Sequence, residues 1–592
     1  MKSIISQFVW VAVLIYGSLL VISSPTTEVE HNAINQKYYH YLMDNLDTSN
    51  SPCSQFYPYV CSKWPAKHKS NIDNNNSVQK LLSYEINMEI KAYLENQTPV
   101  KDMPEHVQMV KDFYVSCKEN NNVSLVEFMQ CYIRNNMKWA LLTPIENKDD
   151  ATIAFDWPST MAIFRKYDFN DLLVEQWTDS KNSFNYVKKT DIRHLMKAIN
   201  LPNGTMEFLD LWKRIDGFEY KFGEVVANSE EEEQTLKFKD IPYPWFKKYL
   251  KAVMGGAGAK VSDIDDNTEF RISSLSSMED LDKLLKEYDE AFLCRYLEVR
   301  FLLYLEKINE LDETDANKCV TLATGLLSLS AEWIYKELHP ELLAEIPTIQ
   351  QMFDNIVKNV NKTLQMDKDG RSIIPQQFFN KLDTMTVQVS HVPLENIQEF
   401  FETDYAKFKL NSHDFHGNYL QLLKFYYETE IKDNRNDTDI FYTTPTYSIM
   451  KLDLIPKYDE DMNRIILPFM LLRPPFYHLA FEDIFKQSSL ATLLAEVIFY
   501  AFDTKDSGFN ATDIDNLAEI ISFHSTFQIF FQSLQTDDIS RYLSLFNLTS
   551  LQQLKQLFFI NAIHIRCEVD YADAEITNFI LIQLSEFNDA FD

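Results

Sequence analysis

Apolar residues recur at helical spacing over long stretches of this chain, and that periodicity confines it to a fold built mainly of packed helices. Leu81, Leu82, Ile86, Met88 and Ile90 mark a helix over residues 77–94, and a second segment follows over 107–117. Residues 279–311, with Leu284, Leu285, Tyr288, Phe292, Tyr296, Phe301 and Leu305, read as one long helix or two. Residues 319–338 and 394–408 continue the pattern. Glycine supports the same conclusion, because only 11 occur in 592 residues. A chain so poor in glycine has few left-handed turns and few tight hairpins. Its length exceeds one compact core and suits two or three.

Exceptions to the helical pattern are few. The acidic run Glu230 to Glu233 and the cluster Gly255, Gly256, Ala257, Gly258 read as loops. The glycine cluster lacks the lysine and hydroxyl that a phosphate-binding loop needs. One strand is predicted over residues 464–472, with Pro468 inside it. Proline cannot donate to a ladder, so this strand is expected at a sheet edge. Acidic residues number 87 against 56 basic, a formal charge of -31. Such a surface repels phosphate backbones and argues against nucleic acid as a partner.

Residues 1–23 read as a secretory signal, with Lys2 before an apolar run from Phe8 to Ile22 and small residues Val21 and Ser23 near its end. A type II membrane anchor needs about 20 apolar residues and flanking positive charge, so cleavage is the favoured reading. Sequons begin at Asn75, Asn96, Asn122, Asn203, Asn361, Asn436, Asn510 and Asn547, as expected of an exported glycoprotein. Seven cysteines without a C-x-x-C pair suit a few long-range bridges in an oxidising compartment. The odd count leaves at least one thiol unpaired within the chain.

A polar segment over 24–51 leads to the aromatic knot CSQFYPYVCSKW from Cys53. Further on stand VKDFYVSC from Val110, NKCVTLATGLLSLSAEWIYKEL from Asn317 and NRIILPFMLLRPPFY from Asn463. NLTSLQQLKQLFFINAIHIRC from Asn547 and EFNDAF from Glu586 complete the series. In this order the segments resemble the signature of the neprilysin family of zinc endopeptidases, over nearly the whole chain and most weakly between Asn120 and Glu310. The resemblance implies a mainly α, two-lobed architecture: a helical lobe over 52–440 and a shortened zincin-like lobe over 441–592 containing a small sheet. It also implies bridges Cys61–Cys567 and Cys117–Cys319, leaving Cys53, Cys131 and Cys294, enough for one pair and one free thiol.

The catalytic part of the resemblance fails position by position. Zinc peptidase chemistry needs histidines at i and i+4 on one helix face, with a glutamate between them as general base. The matching segment here is Ala495-Glu496-Val497-Ile498-Phe499-Tyr500-Ala501-Phe502-Asp503. Glu496 stands for the first histidine, Val497 for the base and Tyr500 for the second histidine. Valine has no acid–base chemistry, and a phenol with a pKa of about 10 is a poor ligand at neutral pH. Glu519 keeps the third ligand, but Phe523 replaces the aspartate that orients a zinc-bound histidine. The substrate-gripping segment falls on Ile455-Pro456-Lys457-Tyr458, and Ile576 takes the place of an arginine. The expectation is a pseudo-peptidase without zinc, exported, holding a peptide or protein partner or pairing with an active homologue. An active zinc endopeptidase with unusual ligands is the alternative that family membership alone suggests.

Plainer readings apply to the remaining candidates. Glu496 in an apolar helix is expected to snorkel or to be hydrogen-bonded rather than to ligate. His413 and His416 form an H-x-x-H without further placed ligands, which suits a loop, and His524 near Glu519 is weak evidence for a site. Phe527, Phe530, Phe531 and Leu534 read as core. Phe499, Phe502 and Phe523 are candidates to fill part of an old cavity.

Overall fold

The structure is a computed structural model. It describes residues 28–67, 77–96, 103–119, 139–142, 155–167, 206–227, 234–254, 264–309 except 273, 316–365, 374–392, 409–432, 454–502 except 461, 511–569 and 574–591, with isolated positions 169, 173, 401, 402 and 452. The signal, the loops at 230–233 and 255–258, most of the 394–408 segment and the expected boundary at 440/441 lie outside these residues.

Helices dominate. α1 (Val78–Glu95) starts where the Ser77 side chain accepts from the Lys80 N–H, which satisfies one of the unpaired donors of the first turn. α2 (Glu105–Lys118) follows. A small antiparallel pair, β1 (Gln234–Lys237) and β2 (Glu269–Ile272), interrupts the helices. The segment predicted as one helix or two is two, α3 (Leu275–Leu285) and α4 (Glu290–Asn309). Asp289 restarts the winding by accepting from the Phe292 N–H at 2.8 Å. The next predicted segment is likewise divided, into α5 (Ala316–Leu326) and α6 (Ser328–Leu338), at Leu327 with φ -121 and ψ 47. α7 (Ile346–Gln365) buries Ile349, Phe353, Ile356 and Val360, one stripe of an otherwise polar helix.

A second sheet has three strands, β3 (Thr386–Val389), β4 (Lys457–Asp459) and β5 (Arg464–Leu467), in the order β3-β5-β4. β3 runs parallel and β4 antiparallel to β5, with Val387 opposite Ile465 and Tyr458 opposite Ile465 on the other side. This corrects the expected edge strand over 464–472. β5 is central and all four of its residues are buried. Pro468 does not sit within the ladder but ends it, and Phe469–Leu471 turn into a 3₁₀ helix.

The C-terminal part contains α8 (Thr492–Val497), α9 (Ala511–Ser533), α10 (Leu551–His564) and α11 (Ala574–Leu581). α7 packs on both α8 and α9. Phe527 and Phe530 meet Phe558 and Phe559 of α10 and are buried core, while Phe531 and Leu534 are half-buried against it. Two disulfides join Cys61 to Cys567 and Cys117 to Cys319, the pairs the resemblance implies. Cys53 is an exposed free thiol and Cys294 a buried one, while Cys131 lies outside the described residues. Among the described residues no helix is long and apolar enough to cross a membrane.

Candidate functional site

The matching segment does not lie in one regular helix. Gln487–Ala491 wind as a π-turn, α8 is regular, and Ile498–Ala501 tighten to 3₁₀. Side-chain hydroxyls account for the loose start. Ser489 donates to the Phe485 and Phe476 carbonyls and Thr492 to the Gln487 carbonyl, diverting acceptors from the helical ladder. The tight end matters more. Residues i and i+4 lie about 40° apart around an α-helix but about 120° apart in 3₁₀ winding. Tyr500, inside the tightened turn, is 58% exposed, with the Glu496 carboxylate still near its ring. Val497 points into the core at 2% exposure. Partial burial of its ring, with the Glu496 and Asp515 carboxylates nearby, holds the Tyr500 phenol above its ordinary pKa. β4, which carries Lys457 and Tyr458, lies against the same 498–501 turn. Ile455, just before it, is exposed.

Glu496 neither snorkels to water nor stands alone. Its Oε2 accepts from Arg566 at 2.7 Å, and the other terminal nitrogen of that guanidinium reaches Glu519 Oε1 at 3.3 Å. Arg566 also lies over the Phe523 ring, 5.0 Å from its centroid. Three positions singled out in the sequence, on two different helices, thus converge on one cation. Burial works against the charged guanidinium, but the Glu496 and Glu519 carboxylates hold its pKa above the ordinary value.

Arg566 was not foreseen from the sequence. It directly precedes Cys567, and the bridge to Cys61 anchors that stretch. The Tyr57 hydroxyl donates to the Arg566 carbonyl and accepts from the Glu568 N–H, while the Val78 N–H donates to the Cys567 carbonyl. The only signal was adjacency to a cysteine with an implied partner, which gives a position but no role.

The other candidates do not join this group. His524 Nδ1 pairs with Glu586 at 2.8 Å. Although burial pushes the Glu586 carboxyl up, the His524 hydrogen bond brings it down to about 2. His413 is exposed beside Glu119, while His416 is buried, which lowers its pKa. Ile576 is exposed on α11. Phe499 and Phe502 both pack on Phe378 and are buried, as is Phe523. Of the sequons, Asn96 and Asn547 are exposed. Asn361 is half-buried and donates to Asp383 at 3.2 Å. Asn75, Asn122, Asn203, Asn436 and Asn510 lie outside the described residues.

A family model described as peptidase family M13, covering its N-terminal domain, matches residues 52–203. Neprilysin-2 of Caenorhabditis elegans is 20% identical over 534 residues, 78% of this chain and 70% of that protein. Human membrane metallo-endopeptidase-like 1 is 20% identical over 578 residues, 82% of this chain and 69% of its own length. Among solved structures, the Haemonchus galactose containing glycoprotein complex matches with a TM-score of 0.64 at 14% identity, over 94% of this chain and 96% of that chain. Mycobacterium tuberculosis zinc metalloprotease Zmp1, solved with an inhibitor, matches with a TM-score of 0.61 at 13% identity over 92% of this chain and 94% of its own. The N-terminal M13 model and the two neprilysin-type relatives, with a fold shared with the solved structures, support a neprilysin-like member of peptidase family M13.

Proposed function

We propose that this chain is an exported, glycosylated pseudo-peptidase that works by holding a peptide or protein rather than cutting one. The observation that carries this reading is the divergence of the three positions 496, 497 and 500. A metal-bound water needs ligands converging from one helix face and a base beside it. Here one position turns to Arg566, the second into the core and the third to solvent. The donor set does not fit zinc. Its carboxylates, Glu496 and Glu519, are engaged by a guanidinium, and a phenol held above its ordinary pKa is a poor anionic ligand at neutral pH. Valine at 497 leaves no group there to take a proton from water.

The test is metal content of the purified full chain, with cleavage of a quenched peptide measured beside an active relative. Absence of stoichiometric zinc and of cleavage supports the proposal. One zinc per chain with chelator-sensitive cleavage overturns it in favour of an active endopeptidase. Pairing with an active homologue is a second reading, favoured by the fold shared with a protein described in a glycoprotein complex. Co-purification with an active homologue separates it from capture of a free peptide.

A further inference from the structure

We infer that Arg566 is the resident cation of this site: a guanidinium supplied by the chain itself, which neutralises Glu496 and Glu519 and ties α8, α9 and the end of α10 into one unit. The inference rests on the pseudo-peptidase reading, because it gives these two carboxylates a partner other than a metal.

Its geometry differs from that of an ordinary surface ion pair. The two carboxylates come from different helices, and each takes a separate terminal nitrogen of one guanidinium. The side chains of Arg566, Glu496 and Glu519 are 22%, 28% and 12% exposed, so the charges are largely withdrawn from water. Phe523 supplies an aromatic face for the planar cation. The backbone at Arg566 is held before the side chain pairs, by the Cys61–Cys567 bridge and by the Tyr57 hydroxyl. Removing the cation leaves two partly buried carboxylates facing one vacated space. Removing the carboxylates leaves a partly buried guanidinium. Either change alone is therefore more damaging than both together, a non-additivity that simple loss of packing does not produce.

The experiment compares melting temperature and secretion yield of the full chain as wild type, Arg566→Met, Glu496→Gln/Glu519→Gln, and the triple variant. Arg566→Met is expected to melt about 5 °C lower, with the triple variant recovering at least half of the loss. An unchanged melting temperature for Arg566→Met overturns the inference. So does a triple variant no more stable than Arg566→Met, since Arg566 would then act through its bulk. Should Arg566→Met fail to be secreted, secretion of the triple variant supports the inference and its failure overturns it. Cleavage by the wild type would sink the pseudo-peptidase reading while leaving the non-additivity to be read on its own.

Discussion

Two clusters of withdrawn charge show how differently the same chemistry is used in two parts of this molecule. Around Ser390, just after β3, Glu332 accepts from Ser390 Oγ and pairs with Lys336 at 3.2 Å and His391 at 2.6 Å. Lys336 donates to Ser390 Oγ at 2.6 Å. All four residues are below 9% exposure, and Ser390 holds φ at 96°, a left-handed conformation costly for a residue with a Cβ. Burial would raise the Glu332 carboxyl, yet Lys336 and His391 drive it far below the ordinary carboxylate range. The cluster at Arg566 is looser and faces a surface where Tyr500 stands in water. A sealed, fully paired network specifies a corner of the fold. The half-open one gathers Glu496, Glu519 and Phe523 about a single guanidinium.

The comparison can be broken most forcefully at the covalent level. Replacing Cys61 and Cys567 by serine releases a loop spanning 506 residues, and a chain-entropy estimate puts the loss on the order of 5 kcal/mol. Denaturant unfolding measures it. Hydrogen exchange should rise first around Arg566 and spare the Ser390 corner; equal loosening of both would erase the distinction. Glu332→Ala leaves Lys336 and His391 buried without their counter-ion and is expected to cost about 3–5 kcal/mol. A loss below about 1 kcal/mol would show that the sealed cluster is no tighter than a surface pair.

Acid sharpens the contrast further. Burial lowers His106, which is stacked on Phe401, to about 4, and His478 to about 4 with Lys486 and His31 adding to the effect. Both are depressed from 6.5, so the unfolded chain binds more protons between these values. Their contribution is complete above pH 6.5 and is lost as pH falls toward 4. The melting temperature should therefore decline over that window, while the Glu332 pairs persist below it. Replacing both histidines by glutamine should flatten the profile. A profile unaltered by those changes would assign the acid sensitivity elsewhere. Least effect is expected from Tyr500→Phe, within about 0.5 kcal/mol, because the phenol is exposed. A larger loss would mean that Tyr500 belongs to the Arg566 cluster.

Much of the scaffold was legible beforehand because its signals are local. The stripe from Leu81 to Ile90 is a helix whatever it packs against, and Ser77 caps it from one residue away. The residue types at positions 496, 497 and 500 were equally readable, since they stand in the letters. Strand order was not: Pro468 indicated an edge, yet it stands just beyond a central strand. A proline fixes where a ladder stops but carries no information about what lies on either side.

The sequence by itself determined the helical class, the distant cysteine pairings through resemblance, and the residue types at positions 496, 497 and 500. Only the tertiary structure decided that Glu496, Glu519 and Phe523 share one partner. Arg566 lies 70 residues from Glu496 and 47 from Glu519, and pairing over such separations follows from how helices pack, not from any local pattern. The same holds for the direction of Tyr500. Helical periodicity assumes one winding, whereas Ile498–Ala501 wind as 3₁₀ and leave Tyr500 exposed.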